Sequence, residues 1–386
     1  MTELQQLINE LCPNGVKFAA LEECCKILDN KRKPVTKAAR QAGEYPYYGA
    51  NGIQDYVSDY IFDGIFVLVG EDGSVVTPSG NPVVNWATGK IWVNNHAHII
   101  EEKDGVLLRY LYHYLQTVNV SALIHGNIPK LTGGDFRAIK VPVPPLPVQS
   151  EIVRILDNFT ELTAELTAEL TARRQQYEYY NNTLLSFDNA EYKTLEELCD
   201  IVDYRGKTPR KVDDGIFLVT AKNIRKGFID YDKSKEYISP EDYDEVMHRG
   251  FPQIGDVLIT TEAPCGNVAQ IDNENIALAQ RVIKYRPKNN NLNSTFLKYV
   301  LLGKEFQDKL ERAATGGTVK GIKGSKLHQL TIPVPSIEEQ ERIVAILDRF
   351  DTLCNDISAG LPAEIEARQK QYEYYRDKLL TFKVAE

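Results

Sequence analysis

The stretch Ile139–Asp157 reads IKVPVPPLPVQSEIVRILD, and Leu330–Asp348 repeats it as LTIPVPSIEEQERIVAILD. Both copies run on to a QYEYY box, at Gln176–Tyr180 and Gln371–Tyr375, and both then close on Leu-Leu-x-Phe. Self-similarity of this kind indicates a duplicated unit, so the chain is predicted to fold as two pseudo-equivalent halves. The halves agree at their ends and differ in their middles. This pattern predicts a shared frame that carries two dissimilar globular domains.

Length and composition fit such an arrangement. With 386 residues, 43% of them hydrophobic, the chain is long enough for two or three domains with proper cores. It shows no apolar run that could span a membrane and no signal peptide, so a soluble, cytoplasmic protein is expected. The cysteines form no CxxC pair or other metal-ligand spacing, which predicts buried, reduced thiols and no metal site. They are Cys12, Cys24, Cys25, Cys199, Cys265 and Cys354.

The formal net charge of −9 at first argues against a nucleic-acid partner. The acidic excess, however, lies in the N-terminal residues and in the two repeated segments, while the two middles are close to neutral and carry basic clusters. Electrostatic attraction is screened beyond about 10 Å at ordinary salt. Clusters on one face can therefore bind DNA despite the total charge.

The repeated segments predict two long helices with matching apolar stripes. Each helix would hold about 35 residues and span about 50 Å. The partner predicted for each stripe is the other copy, which gives two antiparallel coiled-coil helices. Gly360-Leu361-Pro362 should interrupt the second helix. The helix-pairing residues are Ile152, Leu156, Phe159, Leu166, Leu170, Tyr177 and Tyr180 in the first copy, and Ile343, Leu347, Phe350, Tyr372 and Tyr375 in the second.

A proline-rich strap precedes each helix and predicts a rigid exit from a globular domain, because proline holds the backbone extended. The predicted fold is therefore mixed α/β (α+β), with two globular domains and two long helices in a pseudo-twofold ring. The predicted segments are an N-terminal helix and turn (1–16), a first domain (17–140), a central helix (141–188), a second domain (189–330) and a C-terminal helix (331–386).

Motifs for chemistry are missing from the sequence. Asn81-Pro82-Val83-Val84 lacks the second proline and the aromatic residue of an adenine-methyltransferase motif, and no GxxxxGK[ST] phosphate loop occurs. His96 and His98 alternate as on a strand and could be metal ligands. Because no third ligand is near them in sequence, a structural or DNA-facing role is favoured.

The repeated residues resemble the conserved regions of specificity subunits of type I restriction-modification enzymes, most closely the type IC branch. The resemblance rests on PVPPLPVQSEIVRILDNF (142–159), RQQYEYY (174–180), RQKQYEYYRDKLL (368–380) and the domain openings CPNGVKF (12–18) and LEELCDIVDYRGKTP (195–209). It implies that two target-recognition domains read the two halves of an asymmetric, split site in double-stranded DNA.

The resemblance also implies partners. Two methyltransferase subunits would dock on the frame and methylate adenine, and restriction subunits would join them to translocate and cut. The chain itself would do no chemistry and bind no cofactor, while its partners would use S-adenosylmethionine, ATP and Mg. Two other classes stay open on the residues: an interaction scaffold whose domains bind protein, and a DNA enzyme with an unrecognised site. DNA binding by the purified chain or its methyltransferase complex would distinguish a DNA-recognition subunit from a protein-binding scaffold. Methyl transfer by the chain alone would reveal an enzyme.

DNA-contact candidates are polar and basic residues in the two middles, since such side chains bind base edges and phosphates. For each charged run the alternative is a solvated surface. The candidates in the first domain are Lys31, Arg32, Lys33, Arg40, Asn51, Asn95, His96, Asn127 and Lys130. Those in the second are Arg205, Lys207, Arg210, Lys222, Asn223, Arg225, Arg281, Thr318, Lys320 and Lys323.

Two loops stand out among these candidates. Gly126–Leu131 and Gly317–Ile322 occupy equivalent positions just before the two straps. Each combines glycine, which permits close backbone approach, with a lysine that can pair with a phosphate. Because the same combination of glycine and lysine occurs at the same position in two otherwise divergent domains, DNA contact by these loops is favoured.

A shorter repeat lies inside the first helix. Thr163-Ala164-Glu165-Leu166 is followed by Thr167-Ala168-Glu169-Leu170, and each unit adds about one turn, ~6 Å. The resemblance implies that these units set the length of unread DNA between the half-sites. The alternative is a good helix-forming stretch without that role.

Deleting Thr167-Ala168-Glu169-Leu170 is predicted to shorten the unread spacer by one base pair and to leave both half-sites unchanged. The helix loses ~6 Å, and a base pair rises ~3.4 Å, so bending absorbs part of the rigid-body shift. Methylome sequencing of the deletion strain measures the spacer, and Glu169→Gln, which keeps the length, is the control. An unchanged spacer would show that the units do not set it.

Overall fold

The computed structural model describes residues 3–73, 75–187, 189–204, 209–316, 320–355 and 360–385. They form two compact units, Met1–Thr167 with Glu364–Glu386, and Ala168–Ala363. The predicted domains 17–140 and 189–330 lie within the first and the second unit respectively. The candidates Arg205, Lys207 and Thr318 fall outside the described residues. Within the described ranges, no helix is long and apolar enough to cross a membrane.

The first unit opens with the predicted amphipathic N-terminal helix. Its helices are α1 (Glu3–Leu11), α2 (Leu21–Cys24), α3 (Leu108–Leu115), α4 (Gly133–Ala138) and the start of α5 (Leu146–Leu184). Its strands are β1 (Phe18–Ala20), β2 (Lys26–Ile27), β3 (Ala42–Gly49), β4 (Gly52–Val57), β5 (Phe62–Gly70), β6 (Val84–Val93), β7 (Ala97–Glu101), β8 (Ile124–His125), β9 (Lys130–Leu131) and β10 (Lys140–Pro142).

The second unit repeats this order of elements with a different middle. Its strands are β11 (Glu191–Thr194), β12 (Cys199–Asp203), β13 (Lys211–Val212), β14 (Ile216–Val219), β15 (Tyr237–Ile238), β16 (Val257–Thr261), β17 (Cys265–Gln270), β18 (Ile276–Leu278), β19 (Val282–Pro287) and β20 (Thr331–Val334). Its helices are α6 (Leu195–Leu198), α7 (Tyr243–Val246), α8 (Ser294–Leu302), α9 (Lys304–Ala313), α10 (Gly324–His328) and α11 (Ile337–Asn355), and α12 (Leu361–Leu379) follows.

Both middles share one sheet that the sequence did not reveal. The order β2-β7-β5-β6 in the first unit matches β12-β19-β16-β17 in the second, and every neighbouring pair is antiparallel. The first unit extends this sheet with the hairpin β3-β4, whereas the second adds a separate sheet of order β13-β15-β14-β18. The recognition domains are thus related in their core and differ in what is added to it.

The strap strands close each domain. β10 pairs antiparallel with β1, and β20 pairs antiparallel with β11, so each domain begins and ends on a two-stranded ribbon. A short helix follows the first strand of each ribbon, and α6 is fixed by a capping box between Thr194 and Glu197. This matches the prediction that the straps are rigid exits from the domains.

A buried glutamine ties each strap to its domain. Gln149 accepts from Leu107 N at 2.9 Å and donates to Gly105 O at 3.0 Å and Pro144 O at 2.7 Å. The side chain is fully buried, and its hydrogen bonds go to backbone groups of the strap and of the turn before α3.

The second copy makes the same bonds. Gln340 accepts from Asn293 N at 2.8 Å and donates to Asn291 O and Pro335 O, both at 2.9 Å. A fully buried amide is costly unless its hydrogen bonds are made. This explains physically why the glutamine recurs in the repeated motif.

The first turns of the frame helices are buried in the cores of their own units. Ile152 and Leu156 are fully buried in the core of the first unit, and Ile343 and Leu347 in that of the second. The same cores also contain the end of the other frame copy, through Leu380 in the first unit and Leu185 in the second. The leading residues of the stripe therefore lie in cores that are shared by the domain and the other frame copy.

The later parts of the stripe form the predicted helix pairing. Phe159 stacks on Tyr375 with ring centroids 5.4 Å apart. Tyr177 and Tyr180 lie 6.2 and 5.4 Å from Phe350. The beginning of one copy thus meets the end of the other, which is the register of an antiparallel pair. Leu166 and Leu170 are half-buried.

The two frame copies differ in continuity. α5 is a single helix of 39 residues, slightly longer than predicted. The second copy consists of α11 and α12, and the predicted interruption falls at Gly360, whereas Leu361 and Pro362 are the first two residues of α12. The end of α12 is tied to α3, since the Tyr372 hydroxyl lies 3.0 Å from His113 Nδ1, and His113 Nε2 lies 2.8 Å from Asp157. Burial lowers the pKa of His113 and favours the neutral ring.

The six cysteines are free thiols. Five are buried as predicted, and Cys265 is only half-buried. Burial raises the pKa of Cys25 and of Cys199 to about 12, so these thiols stay protonated and unreactive at neutral pH.

Gln340→Leu is predicted to destabilise the second unit by about 2 to 4 kcal/mol, because it leaves the Asn293 amide and two carbonyls buried without partners. Thermal or urea unfolding measures the loss. Glu341→Leu, at the exposed neighbouring position, is the matched control and should change stability by less than about 0.5 kcal/mol. Equal stabilities of the two variants would contradict the role given to Gln340.

Candidate nucleic-acid interface

The described residues of the two predicted loops, Gly126–Leu131 and Lys320–Ile322, lie at the same corner of the shared sheet, while 317–319 fall outside the described residues. In the first unit, Glu71 and Asp72 follow the end of β5, and His96 precedes β7. Glu71 N donates to His96 O at 2.8 Å, and Leu131 N donates to Glu71 O at 2.8 Å. A β-bridge joins Asp72 to Lys130. The loop that carries Lys130 is thereby fixed along the ends of two sheet strands.

The second unit builds the same corner from different residues. Thr261 N donates to Arg281 O at 2.9 Å, and Ile322 N donates to Thr261 O at 2.9 Å. A β-bridge joins Glu262 to Gly321. We call these two places the sheet corners. The backbone pattern makes His96 equivalent to Arg281, and Asp72 equivalent to Glu262.

At each sheet corner the side chains of these equivalent residues contact each other. His96 Nδ1 contacts a carboxylate oxygen of Asp72, and Arg281 Nε lies 3.2 Å from Glu262 Oε2. The basic side chains are well exposed, 48% for His96 and 55% for Arg281. Each corner therefore presents a nitrogen-rich group to solvent with a carboxylate beside it.

Several predicted DNA-contact residues meet at these corners and are exposed. The loop lysines are paired with carboxylates: Lys130 lies 3.2 Å from Glu71 Oε1, and Lys320 contacts Glu311. The predicted residues placed at or beside the corners are Asn95, His96, Asn127 and Lys130 in the first unit, and Arg281, Lys320 and Lys323 in the second.

Two predicted DNA contacts have structural roles instead. The Arg32 side chain is only 12% exposed, ion-pairs with Glu71 at 2.5 Å, and donates to Ala97 O at 2.7 Å. Asn223 is fully buried and donates to Asp230 O and Ser234 O, both at 3.0 Å. Sequence alone could not reveal these structural roles, because the type of a polar residue does not show whether it is buried in a turn or exposed on the surface.

The remaining candidates lie away from the corners in sequence and stay predictions. Arg40 pairs with Asp55 at 3.2 Å and lies 4.1 Å from the centre of the Tyr47 ring. Arg225 pairs with Asp230 at 3.3 Å. The others are exposed side chains: Lys31, Lys33, Asn51, Arg210 and Lys222.

A buried polar group supports the first corner from below. His98 stacks on Phe136 at 4.2 Å, with Nε2 3.0 Å from Leu131 O and Nδ1 2.7 Å from Asp29 Oδ2. Burial alone would raise the pKa of Asp29, but hydrogen bonds from His98 and the Ile99 amide hold that pKa below its usual range. The carboxylate is therefore charged at neutral pH.

Asp29, Glu71 and His98 lie close enough together to hold a metal ion, although the sequence showed no third ligand near His98. The fold supplies the two carboxylates from distant positions. Arg32 approaches both of them, at 2.5 Å from Glu71 and 3.6 Å from Asp29. Its guanidinium provides the positive charge that a metal would bring, so this group acts as an ion-pair network.

The chain thus consists of a repeated frame with one matched, exposed corner in each half. The comparisons identify its kind. The model of the family described as "Type I restriction modification DNA specificity domain" matches residues 13–173 and 188–367. The chain belongs to this family, as the resemblance predicted.

Individual relatives agree with this. The chain is 38% identical over 384 residues to a type I restriction enzyme specificity subunit named S.HindORF215P from Haemophilus influenzae, covering 95% of this chain and 96% of the relative. It is 39% identical over 309 residues to the EcoR124I/EcoR124II specificity subunit of Escherichia coli, covering 73% and 72%.

Solved structures share the fold. The crystal structure of a type I restriction-modification S subunit from M. genitalium superposes with a TM-score of 0.60 at 15% identity, covering 95% of this chain and 96% of that one. A structure described in terms of complex assembly and conformational transition of the type I system gives a TM-score of 0.57 at 16% identity, covering 95% and 98%. The predicted fold class is therefore confirmed.

Lys130→Ala or Lys320→Ala is predicted to weaken DNA binding on all sequences alike, because a phosphate contact carries no base information. Each should reduce the slope of log affinity against log salt by about one. Equilibrium binding of the methyltransferase complex across a salt series measures this. Lys370→Ala, which removes a more exposed, ion-paired lysine from α12, is the control. An unchanged slope for both corner variants would exclude the phosphate contact.

Proposed function

We propose that this chain is the specificity subunit of a type I restriction-modification complex that binds a bipartite, asymmetric site in double-stranded DNA, one half with each recognition domain. The observation that carries the proposal is the pair of sheet corners. Their backbone is the same in both units, while their side chains differ between His96 with Asp72 and Arg281 with Glu262. The same backbone arrangement with different side chains suits two domains that contact DNA in the same way but recognise different half-site sequences.

The partners in this proposal are two methyltransferase subunits and the restriction subunits. The duplication of the frame supports two copies of one partner, because each copy offers the same surface. The QYEYY boxes expose Tyr179 and Tyr374 at equivalent positions, while Tyr177 turns inward to Phe350 and Tyr372 to His113. Exposed tyrosines of this kind are frequent at protein interfaces.

The chain in this proposal supplies no chemistry of its own. Methyl transfer and cleavage would belong to the partners, with S-adenosylmethionine, ATP and Mg as their cofactors. Its part is to position the partners on DNA, a role for which helices locked to the domain cores are suited.

Exchange of residues 17–140 for the corresponding domain of a relative is predicted to change one half of the methylated motif and leave the other unchanged. The reason is that each unit has its own core and its own corner. Methylome sequencing of a host carrying the chimera and the methyltransferase partner reads out both halves. Exchange of residues 189–330 is the matched control and should change the opposite half. A change in both halves, or in neither, would contradict modular reading.

A further inference from the structure

We infer that Arg281 and His96 are equivalent base-reading residues, and that Glu262 and Asp72 are the carboxylates that position them. This deepens the proposed function, on which it rests, by naming one reading residue in each domain and the chemistry that it reads. Arg281 would recognise a guanine in the major groove, and His96 a single hydrogen-bonding group on a base edge.

The first argument is equivalence. In both units the reading residue immediately precedes the central strand, β7 or β19, and its carbonyl accepts from the residue that follows β5 or ends β16. In both, its side chain pairs with an acid one position further along that segment. The sequences around these residues are unrelated, so the shared arrangement follows from the fold. The side-chain identity is the part that differs.

The second argument is backbone strain. Arg281 has φ +69°, and Ala263, next to Glu262, has φ +49°. Among the described residues these are the only two non-glycine residues with positive φ, and both lie at the second sheet corner. A large side chain adopts this conformation at a cost, and such residues concentrate at functional sites. The strain fixes the direction in which the guanidinium leaves the sheet.

The third argument is the chemistry of the pair. Glu262 approaches Arg281 through Nε, which leaves the two terminal nitrogens as a fork that can donate to O6 and N7 of guanine. A carboxylate at the base of the side chain holds the fork in one orientation before DNA binds. This reduces the side-chain entropy lost on binding.

The first corner should discriminate less strongly. His96 contacts Asp72 through Nδ1, so only Nε2 remains to form a single hydrogen bond with a base edge. A bidentate arginine discriminates by about 5- to 150-fold, and a single bond by the lower end of that range. The base read by His96 should therefore be the more degenerate position in the methylated motif.

The test uses the full chain in complex with its methyltransferase partner. Arg281→Lys keeps the charge and removes the fork, and Arg281→Ala removes both. We expect each to relax one base pair of the second half-site by about 5- to 150-fold, with the first half-site unchanged and the salt slope of Arg281→Lys equal to that of the wild type. Methylome sequencing and competition with single-base variants of the site measure this. Arg281→Asn, which suits the left-handed backbone, replaces Arg281→Ala if that variant does not fold.

Arg342→Ala is the control, because Arg342 forms an ion pair of similar exposure with Glu339 on α11. Its methylated motif should equal that of the wild type. A wild-type motif in both Arg281→Lys and Arg281→Ala would overturn the inference. If the wild-type complex itself showed no sequence-specific DNA binding, the proposed function would be overturned instead. The failure of the inference and the failure of the proposed function are therefore distinguishable.

The positioning role of Glu262 has its own readout. Glu262→Gln should relax the same base pair as Arg281→Ala, and the double variant should lose no more discrimination than Arg281→Ala alone. Additive losses would assign Glu262 a separate, structural role. In the first domain, His96→Arg should convert one position of the first half-site to a guanine preference. An unchanged first half-site would overturn the equivalence of the two corners.

Discussion

The hydrogen bonds of Gln149 and Gln340 are the constraint on which the rest of the molecule depends. Each buried amide holds the strap, the turn before the following helix and the first turn of a frame helix in one arrangement. Leaving such groups unsatisfied costs about 1 to 3 kcal/mol each, so no alternative arrangement of the strap is comparable in free energy. With Ile152 and Ile343 buried beside them, each helix is rigidly continuous with the domain that precedes it. A long helix conveys position only if its end is held in this way.

The sheet corners are held with comparable rigidity. The hydrogen bonds of Leu131 and Ile322 fix the loops to strand ends, and in the first unit His98 braces the same segment from the core. This support is made by backbone atoms and buried side chains, so the fold does not depend on the exposed side chains at the corners. His96 and Arg281 can therefore differ without altering the fold. This is the condition under which one scaffold accommodates many target sequences.

The sequence predicted the frame well because comparison of the two copies of the motif shows where each repeated segment begins and ends. The helices, the break at Gly360 and the two loops all followed from it. The burial of Leu156 and Leu347 was predicted only in part, since a periodic stripe shows that one face is buried and not what covers it. Both residues lie in domain cores that also contain the end of the other frame copy. The shared sheet was invisible because its strands are separated by loops of different length. Asp72 and Glu262 were missed because acidic side chains are not expected beside DNA. Each is also distant in sequence from its partner, His96 or Arg281.

Glu71 shows how charges at the first corner divide between stability and binding. One carboxylate oxygen pairs with Arg32, whose side chain is nearly buried, and the other with Lys130, which is about half exposed. Separating the buried pair would leave an uncompensated charge and cost about 3 to 5 kcal/mol. An exposed pair is worth only about 0 to 1 kcal/mol, so Lys130 can exchange its carboxylate for a phosphate at little cost. Arg32 thus stays with the fold, and Lys130 is available to DNA. Burial, and not residue type, decides which basic residues of this protein can bind.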